Sequence, residues 1–275
     1  MHTIWKGSIS FGLVHIPVKL FAATENKNVS FRQLHEKCHT PIKYEKVCPS
    51  CETEVSQEDI VKGYEYEKGK FVILNEEELD VLAQKKNKHI EIVDFIKLEE
   101  IDPIYFNRSY YLGPHEHGEK AYSLLQKAMQ DSQKVAIAKI MLRAKEHLAA
   151  IRVYEQALVL ETIHYPDEIR RAENIPGLRD DIQISDKEMD MALQLVEQLT
   201  TTFDPEKYTD EYRERVKELV QNKVSGNEVK IAPEVPQTDI TNLMEALQQS
   251  INETKSQKKQ TRKRKTSKTK KKATG

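Results

Sequence analysis

The run Val14-His15-Ile16-Pro17-Val18-Lys19-Leu20 places Val14, Ile16, Val18 and Leu20 at every second position. That is the period of a strand buried on one face, and it sets the reading of everything from Ile4 to Thr162. The pattern returns around Ile90, Ile92, Val93, Asp94 and Phe95 and again over residues 135–142. Two hairpins are predicted, one over 64–71 turning at Lys68-Gly69 and one over 148–160 turning near Glu155-Gln156. Two helices interrupt the strands. Asn75 followed by Glu78 caps a short helix through Leu82, and residues 117–131 carry Ala121, Leu124, Leu125, Ala128 and Met129 at helical spacing, the stripe of a helix lying on a sheet.

Beyond Pro166 the character changes. The turn-rich Asn174-Ile175-Pro176-Gly177 leads into a capping box, Ser185 with Glu188, ahead of Met189, Ala192, Leu193, Val196 and Leu199. Another helix is predicted over 210–222. A linker with Gly226, Pro233 and Pro236 then leads to an amphipathic segment with Ile240, Leu243, Met244, Leu247 and Ile251. No internal repeat is visible.

The chain has 275 residues and 38% apolar content, enough for one large or two smaller domains with a real core. Its start has no charged segment followed by an apolar one, and no stretch approaches ~18 uncharged apolar residues. A cytoplasmic protein with no membrane partner is expected.

Charge is split along the chain. Eleven of the 43 Lys and Arg residues fall between Lys255 and Lys272 without one acid, leaving 32 bases against 44 acids in residues 1–254, a formal −12. A cationic arm on an acidic body captures a polyanion through counterion release without coating the whole surface, so nucleic acid is the first partner to consider. The arm, including Lys258, Lys259, Arg262, Lys263, Arg264 and Lys265, contains no aromatic residue and no apolar pattern. It is expected to be disordered and to attract duplex phosphates without stacking on bases. In the body, Lys6, Lys19, Arg32, Lys43, Lys46, Arg143 and Arg152 lie on strand-like segments and are candidate phosphate contacts, though each alone reads first as an ordinary solvated side chain.

All three cysteines fall within fourteen residues, as His35-x2-Cys38 and Cys48-x2-Cys51. Two-residue gaps let one tight turn aim two side chains at one ion, and two such turns supply the four ligands of a closed, structural zinc site. His35, Cys38, Cys48 and Cys51 are the candidate ligands, with His39 as the other candidate for the fourth. Reduced free thiols are the simpler reading, and redox chemistry would want Cys48 at a helix N-terminus, whereas Ile42, Tyr44, Val47 and Val55 read as strands.

No Gly-rich phosphate loop, nucleophile elbow or His-Glu-x-x-His is present. His115-Glu116-His117, between Pro114 and Gly118, reads as a polar loop, and Tyr110-Tyr111 as core packing. The chain is read as non-enzymatic, with no catalytic cofactor.

Three separated stretches carry a family resemblance: residues 4–18, Ile101-Asp102-Pro103-Ile104-Tyr105-Phe106 with Tyr110-Tyr111-Leu112, and Leu158 to Arg170 with its Thr162-Ile163-His164-Tyr165-Pro166-Asp167-Glu168. Together they closely resemble bacterial Ku over roughly residues 1–200. The resemblance implies a mixed β and α fold with a β-barrel core, a bridging arm closing a ring in the dimer, a helical C-terminal arm and a disordered basic tail. Expected domains are a Ku core over 1–200, with a zinc-ribbon-like bridge around 35–55, a helical region over 201–254 and the tail over 255–275. Implied partners are double-stranded DNA ends, a second copy of the chain and the multifunctional end-joining ligase, on nucleoid DNA. A zinc-ribbon protein binding RNA or the nucleoid nonspecifically is the competing reading, and a metal-dependent nuclease a third.

Overall fold

The computed structural model describes residues 1–75, 77–79, 88–143, 145–178, 182–226, 244, 247–248 and 250–252. It divides into two compact units, Met1–Asn174 and Ile175–Gly275.

The first unit is a closed seven-stranded barrel. Strands β1 (Thr3–Phe11), β2 (Val14–Ala22), β5 (His89–Ile96), β6 (Phe106–Pro114), β7 (Val135–Leu142), β8 (Lys145–Tyr154) and β9 (Ala157–Ile163) follow one another around the wall as β1-β2-β6-β9-β8-β7-β5. Every pairing is antiparallel except the parallel β1–β5 seam that closes it. Closure removes the exposed edges of an open sheet. Alternation then sorts the side chains. Ile9, Ile16, Val18, Leu20, Ile90, Leu112, Ile140, Ile151, Leu158 and Leu160 face inward and are at most 2% exposed. Ala136, Ala138 and Ala149 leave room on the β7–β8 wall for the larger residues opposite.

Helix α1 (Glu119–Ser132) stoppers the barrel, placing Tyr122, Leu125 and Met129 in the same core. The Tyr122 hydroxyl donates to the Leu112 carbonyl (2.6 Å) and accepts from the Leu158 N–H (2.7 Å), tying helix to wall. Gly118 is required at the head of α1, since a Cβ there would stand 2.8 Å from the Pro17 carbonyl oxygen.

Between β2 and β5 the chain leaves the barrel as a long arm. It contains the hairpin β3 (Lys62–Glu67) and β4 (Lys70–Leu74), which turns at Lys68-Gly69 as the sequence predicts. The strands expected around Ile42, Tyr44, Val47 and Val55 do not form. Only the isolated bridges Leu34↔Pro41 and Val47↔Glu54 occur there, because each segment closes on itself in a tight turn before a ladder can extend. Of the helix expected over 75–82, residues 77–79 are helical and the remainder after Leu79 lies outside the described residues.

In the second unit, α2 (Asp186–Leu199) begins at the predicted capping box, with Ser185 and Glu188 bonded reciprocally. Helix α3 (Glu211–Val224) is capped by Asp210 accepting from the Arg213 N–H. Met189, Leu193, Val196 and Leu199 of α2 form an apolar stripe that stays 45–63% exposed. Of the last amphipathic segment, residues 244, 247–248 and 250–252 are helical and Ile251 is buried, whereas Ile240 and Leu243 lie outside the described residues. No described helix is long and apolar enough to cross a membrane.

Candidate nucleic-acid interface

The barrel turns its polar residues outward, and two candidate phosphate contacts meet there. Lys6 of β1 and Lys19 of β2 alternate with inward-facing Ile9, Val18 and Leu20, and they are register partners on the outer wall. Arg143 is exposed in the turn that follows β7, in the left-handed region at φ 51°. Arg152 is differently placed. Its Nε and Nη2 each donate to the Glu161 carboxylate at 2.9 Å, its pKa is raised chiefly by that pair, and its guanidinium lies over the Tyr154 ring. Its charge is therefore balanced inside the wall.

Arg32, Lys43 and Lys46 sit in the irregular arm and not on strands, all exposed, with Lys46 donating to the Gln57 side chain at 2.6 Å. Lys258, Lys259, Arg262, Lys263, Arg264 and Lys265 lie outside the described residues. The structure thus brings Lys6 and Lys19 together and distributes the remaining described candidates over other elements. A shallow cup of about 190 Å³ on the same outer wall, lined by Ser10, His15, His89, Glu91, Lys139, Met141 and Glu146, was not legible in the sequence, because its residues come from five strands.

The cysteine segment folds into two turns with one backbone plan, thirteen residues apart. The His35 N–H donates to the Thr40 carbonyl (2.9 Å) as Cys48 N–H does to Thr53 (3.0 Å). The His39 N–H donates to His35 (2.7 Å) as Glu52 N–H does to Cys48 (2.9 Å), and His39 and Glu52 share φ near 55°. This is an internal repeat that the sequence conceals, since only Cys38/Cys51 and Thr40/Thr53 match in identity. His35 stands where Cys48 stands, its Nδ1 3.1 Å from the Cys38 Sγ, whereas His39 occupies the left-handed position of Glu52. Hydrogen bonds from Thr40 and then His35 bring the Cys38 thiol down to about 7, and bonds from Cys51 lower that of Cys48.

A family model described as the Ku70/Ku80 beta-barrel domain matches residues 10–191, from the end of β1 through the rest of the barrel and the arm to the first turns of α2. Full-length relatives agree. The non-homologous end joining protein Ku of Bacillus subtilis is 51% identical over 258 residues, covering 93% of this chain and 83% of that protein. Its namesake from Heliobacterium modesticaldum is 50% identical, covering 94% of each. That of Archaeoglobus fulgidus is 40% identical, covering 91% of this chain and 98% of its own length.

The chain belongs to the Ku family.

As in the sequence-based expectation, this Ku chain is built on a β-barrel with C-terminal helices. The zinc-ribbon expectation needs correction. Among the described residues no group of three or more His, Cys, Asp or Glu side chains is placed to hold a metal ion. Each turn satisfies its own backbone and thiols locally, and no shared ladder draws the two pairs onto one point. The donor set itself, two matched turns each offering two nitrogen or sulfur donors, is that of a structural zinc site. His115-Glu116-His117 is the loop that the sequence suggests, with His115 Nε2 2.9 Å from the Glu116 carboxylate.

Proposed function

We propose that this Ku-family chain binds double-stranded DNA ends without reading sequence, as a ring-shaped homodimer, and recruits an ATP-dependent ligase for nonhomologous end joining. The observation that carries this reading is the match to proteins named for non-homologous end joining along more than nine-tenths of the chain. Its role is that of a non-catalytic DNA-end-binding protein in the repair of double-strand breaks.

The physical features support the mechanism. A ring acts through topology, so its inner surface needs only enough positive charge to offset duplex repulsion. An acidic exterior then discourages side-on binding to intact DNA, which accounts for a formal −12 on the DNA-binding body. A second copy suits the apolar surface left open. Tyr64, Tyr66, Phe71 and Ile73 of the β3–β4 hairpin are 58–63% exposed, and an isolated hairpin with bare aromatic faces is marginal in water. The exposed stripe of α2 makes the same demand in the second unit. Lys6 and Lys19 of the barrel, Arg32, Lys43 and Lys46 of the arm, Arg143 of the turn and the basic tail are the proposed phosphate contacts.

Structural zinc on His35, Cys38, Cys48 and Cys51 is proposed from the donor chemistry of the two matched turns alone, and binding requires the two pairs, which stand apart in this structure, to be drawn together. It would tie the two halves of the arm together and take no part in chemistry. The proposed organisation is a Ku core over 1–200, a helical region over 201–254 and a tail from 255.

Competition tests the reading. Linear duplex should displace a labelled linear probe far better than covalently closed circles of equal mass. Equal competition would replace the ring by a surface binder of RNA or nucleoid type, and divalent-metal-dependent DNA cleavage by the pure protein would replace it by a nuclease.

A further inference from the structure

The two turns of the arm share a backbone plan but not a donor set, and the difference decides what an oxidant does there. At matching positions, the first turn holds His35 and Cys38 and the second holds Cys48 and Cys51. An imidazole and a thiol are not joined by oxidation. Two adjacent thiols are.

In the second turn the sulfurs are already together. The Glu52 N–H donates to the Cys48 carbonyl at 2.9 Å, which closes the turn and puts residues three apart on one side of it. The Cys48 sulfur accepts hydrogen bonds from the Ser50 and Cys51 N–H groups and from the Cys51 thiol. Cys51 is exposed, its sulfur 3.2 Å from Thr53 Oγ1, and Cys48 is half-buried. In the first turn the neighbour of the Cys38 sulfur is His35 Nδ1 at 3.1 Å, and among the described residues the two pairs do not converge. We propose that Cys48 and Cys51 are a redox-sensitive dithiol that hydroperoxides close to a disulfide, whereas Cys38 stays a single thiol beside its imidazole.

Exposure sets the order of events. The Cys51 sulfur attacks the terminal oxygen of the peroxide and the O–O bond breaks. The departing oxygen takes the thiol proton and leaves as an alcohol, or as water when the oxidant is hydrogen peroxide. Cys51 is then a sulfenic acid. The Cys48 sulfur attacks it, the S–O bond breaks, and the hydroxyl leaves as water with the Cys48 proton. Two electrons have passed from the thiols to the peroxide. A small thiol reductant returns them by exchange through a mixed disulfide.

Closure has a second effect, which rests on the zinc reading above. A disulfide withdraws two of the four proposed donors, and one imidazole with one thiolate does not make a closed tetrahedral site. Oxidation then unties the two halves of the arm.

Two measurements on full-length protein test the assignment. Phenylarsine oxide, a trivalent arsenical that bridges adjacent thiols, is titrated into reduced protein freed of metal by a chelator. One arsenical should bind per chain in the wild type and in Cys38→Ser, none in Cys48→Ser, and two in His35→Cys, where the first turn acquires the donor pair of the second. Peptide mapping after brief hydrogen peroxide treatment should then find Cys48 joined to Cys51, lighter by two hydrogen atoms and reversed by dithiothreitol, with Cys38 still open to alkylation. A disulfide from Cys38 to either of the others, or arsenical binding that survives Cys48→Ser, would overturn the dithiol. Zinc content separates the two readings. Zinc lost in step with disulfide formation supports both, and zinc-free protein that gives the same arsenical and peptide results refutes the metal site while the dithiol stands.

Discussion

Arg152 of β8 and Glu161 of β9 grip each other across the barrel wall through two hydrogen bonds of 2.9 Å, with the Glu161 side chain only 12% exposed. Ser109 of β6 adds a third bond to the same carboxylate at 3.2 Å, so one acid joins three adjacent strands. The sequence presents Arg152 as one more basic residue on a strand. The fold makes it the counterion of a carboxylate that the wall removes from water.

Glu161→Gln is expected to lower the stability of the protein by about 2 kcal/mol, the scale of lost charge-assisted hydrogen bonds at a partly buried site. Chemical denaturation measures this. Arg152→Gln should do the same while changing the salt slope of DNA binding far less than Lys19→Gln does. Equal slope changes would return Arg152 to the phosphate contacts.

Tyr122→Phe removes the hydroxyl that joins the Leu112 carbonyl to the Leu158 N–H, leaving two backbone groups at the closed end of the barrel unpaired. A loss of at least about 2 kcal/mol is expected, with little change in the β signal of the circular dichroism spectrum. A variant as stable as wild type would show that water replaces the hydroxyl.

Deleting residues 255–275 removes eleven cationic side chains. DNA affinity should fall and the salt slope should become shallower, yet the preference for ends should persist, because end selection is assigned to the ring. If truncation abolished end preference, the tail would be its source.

Zinc analysis of the purified protein should find one equivalent per chain, lost in Cys48→Ser and in His35→Ala but kept in His39→Ala. The equivalence of His35 to Cys48, and of His39 to Glu52, sets that order. Folded protein without metal would refute the site.

Acid should destabilise the barrel in two stages. Burial lowers the His147 pKa, with Lys145 adding to the shift and Glu168 opposing it, so the folded state takes up this proton less readily than the unfolded chain. The unfolded chain takes up the proton first, and stability declines as pH falls through about 6.5. Glu168 is lowered by the Tyr165 N–H and by Lys145, so its contribution is present above the ordinary carboxylate range and is lost as pH falls below it. Thermal melting from pH 7 to pH 3 should show both stages, and Glu168→Gln should remove the lower one. An unchanged acid limb in that variant would assign it to other carboxylates.

Much of this was legible along the chain. Residues 135–142 are predicted and observed as a strand, Glu155-Gln156 is the β8–β9 turn, and Ser185 with Glu188 starts α2. These features depend on neighbours within about five residues, where alternation, turn chemistry and capping act directly. The twin turns around Cys38 and Cys51 were half legible. Cysteine spacing gave the turns, but their common plan lies in backbone bonds that unlike residues also make.

The residues themselves determined most of the barrel strands, the amphipathic helices, the split of charge and, through three separated motifs, the family. Only the tertiary structure decided which side chains meet: that Lys6 faces Lys19, that Arg152 is held by Glu161, and that the four metal-type donors form two pairs and not one cluster. The reason is physical. Strand period is written in local sequence, whereas register and closure follow from burying all seven strands on one core, and no single segment carries that information.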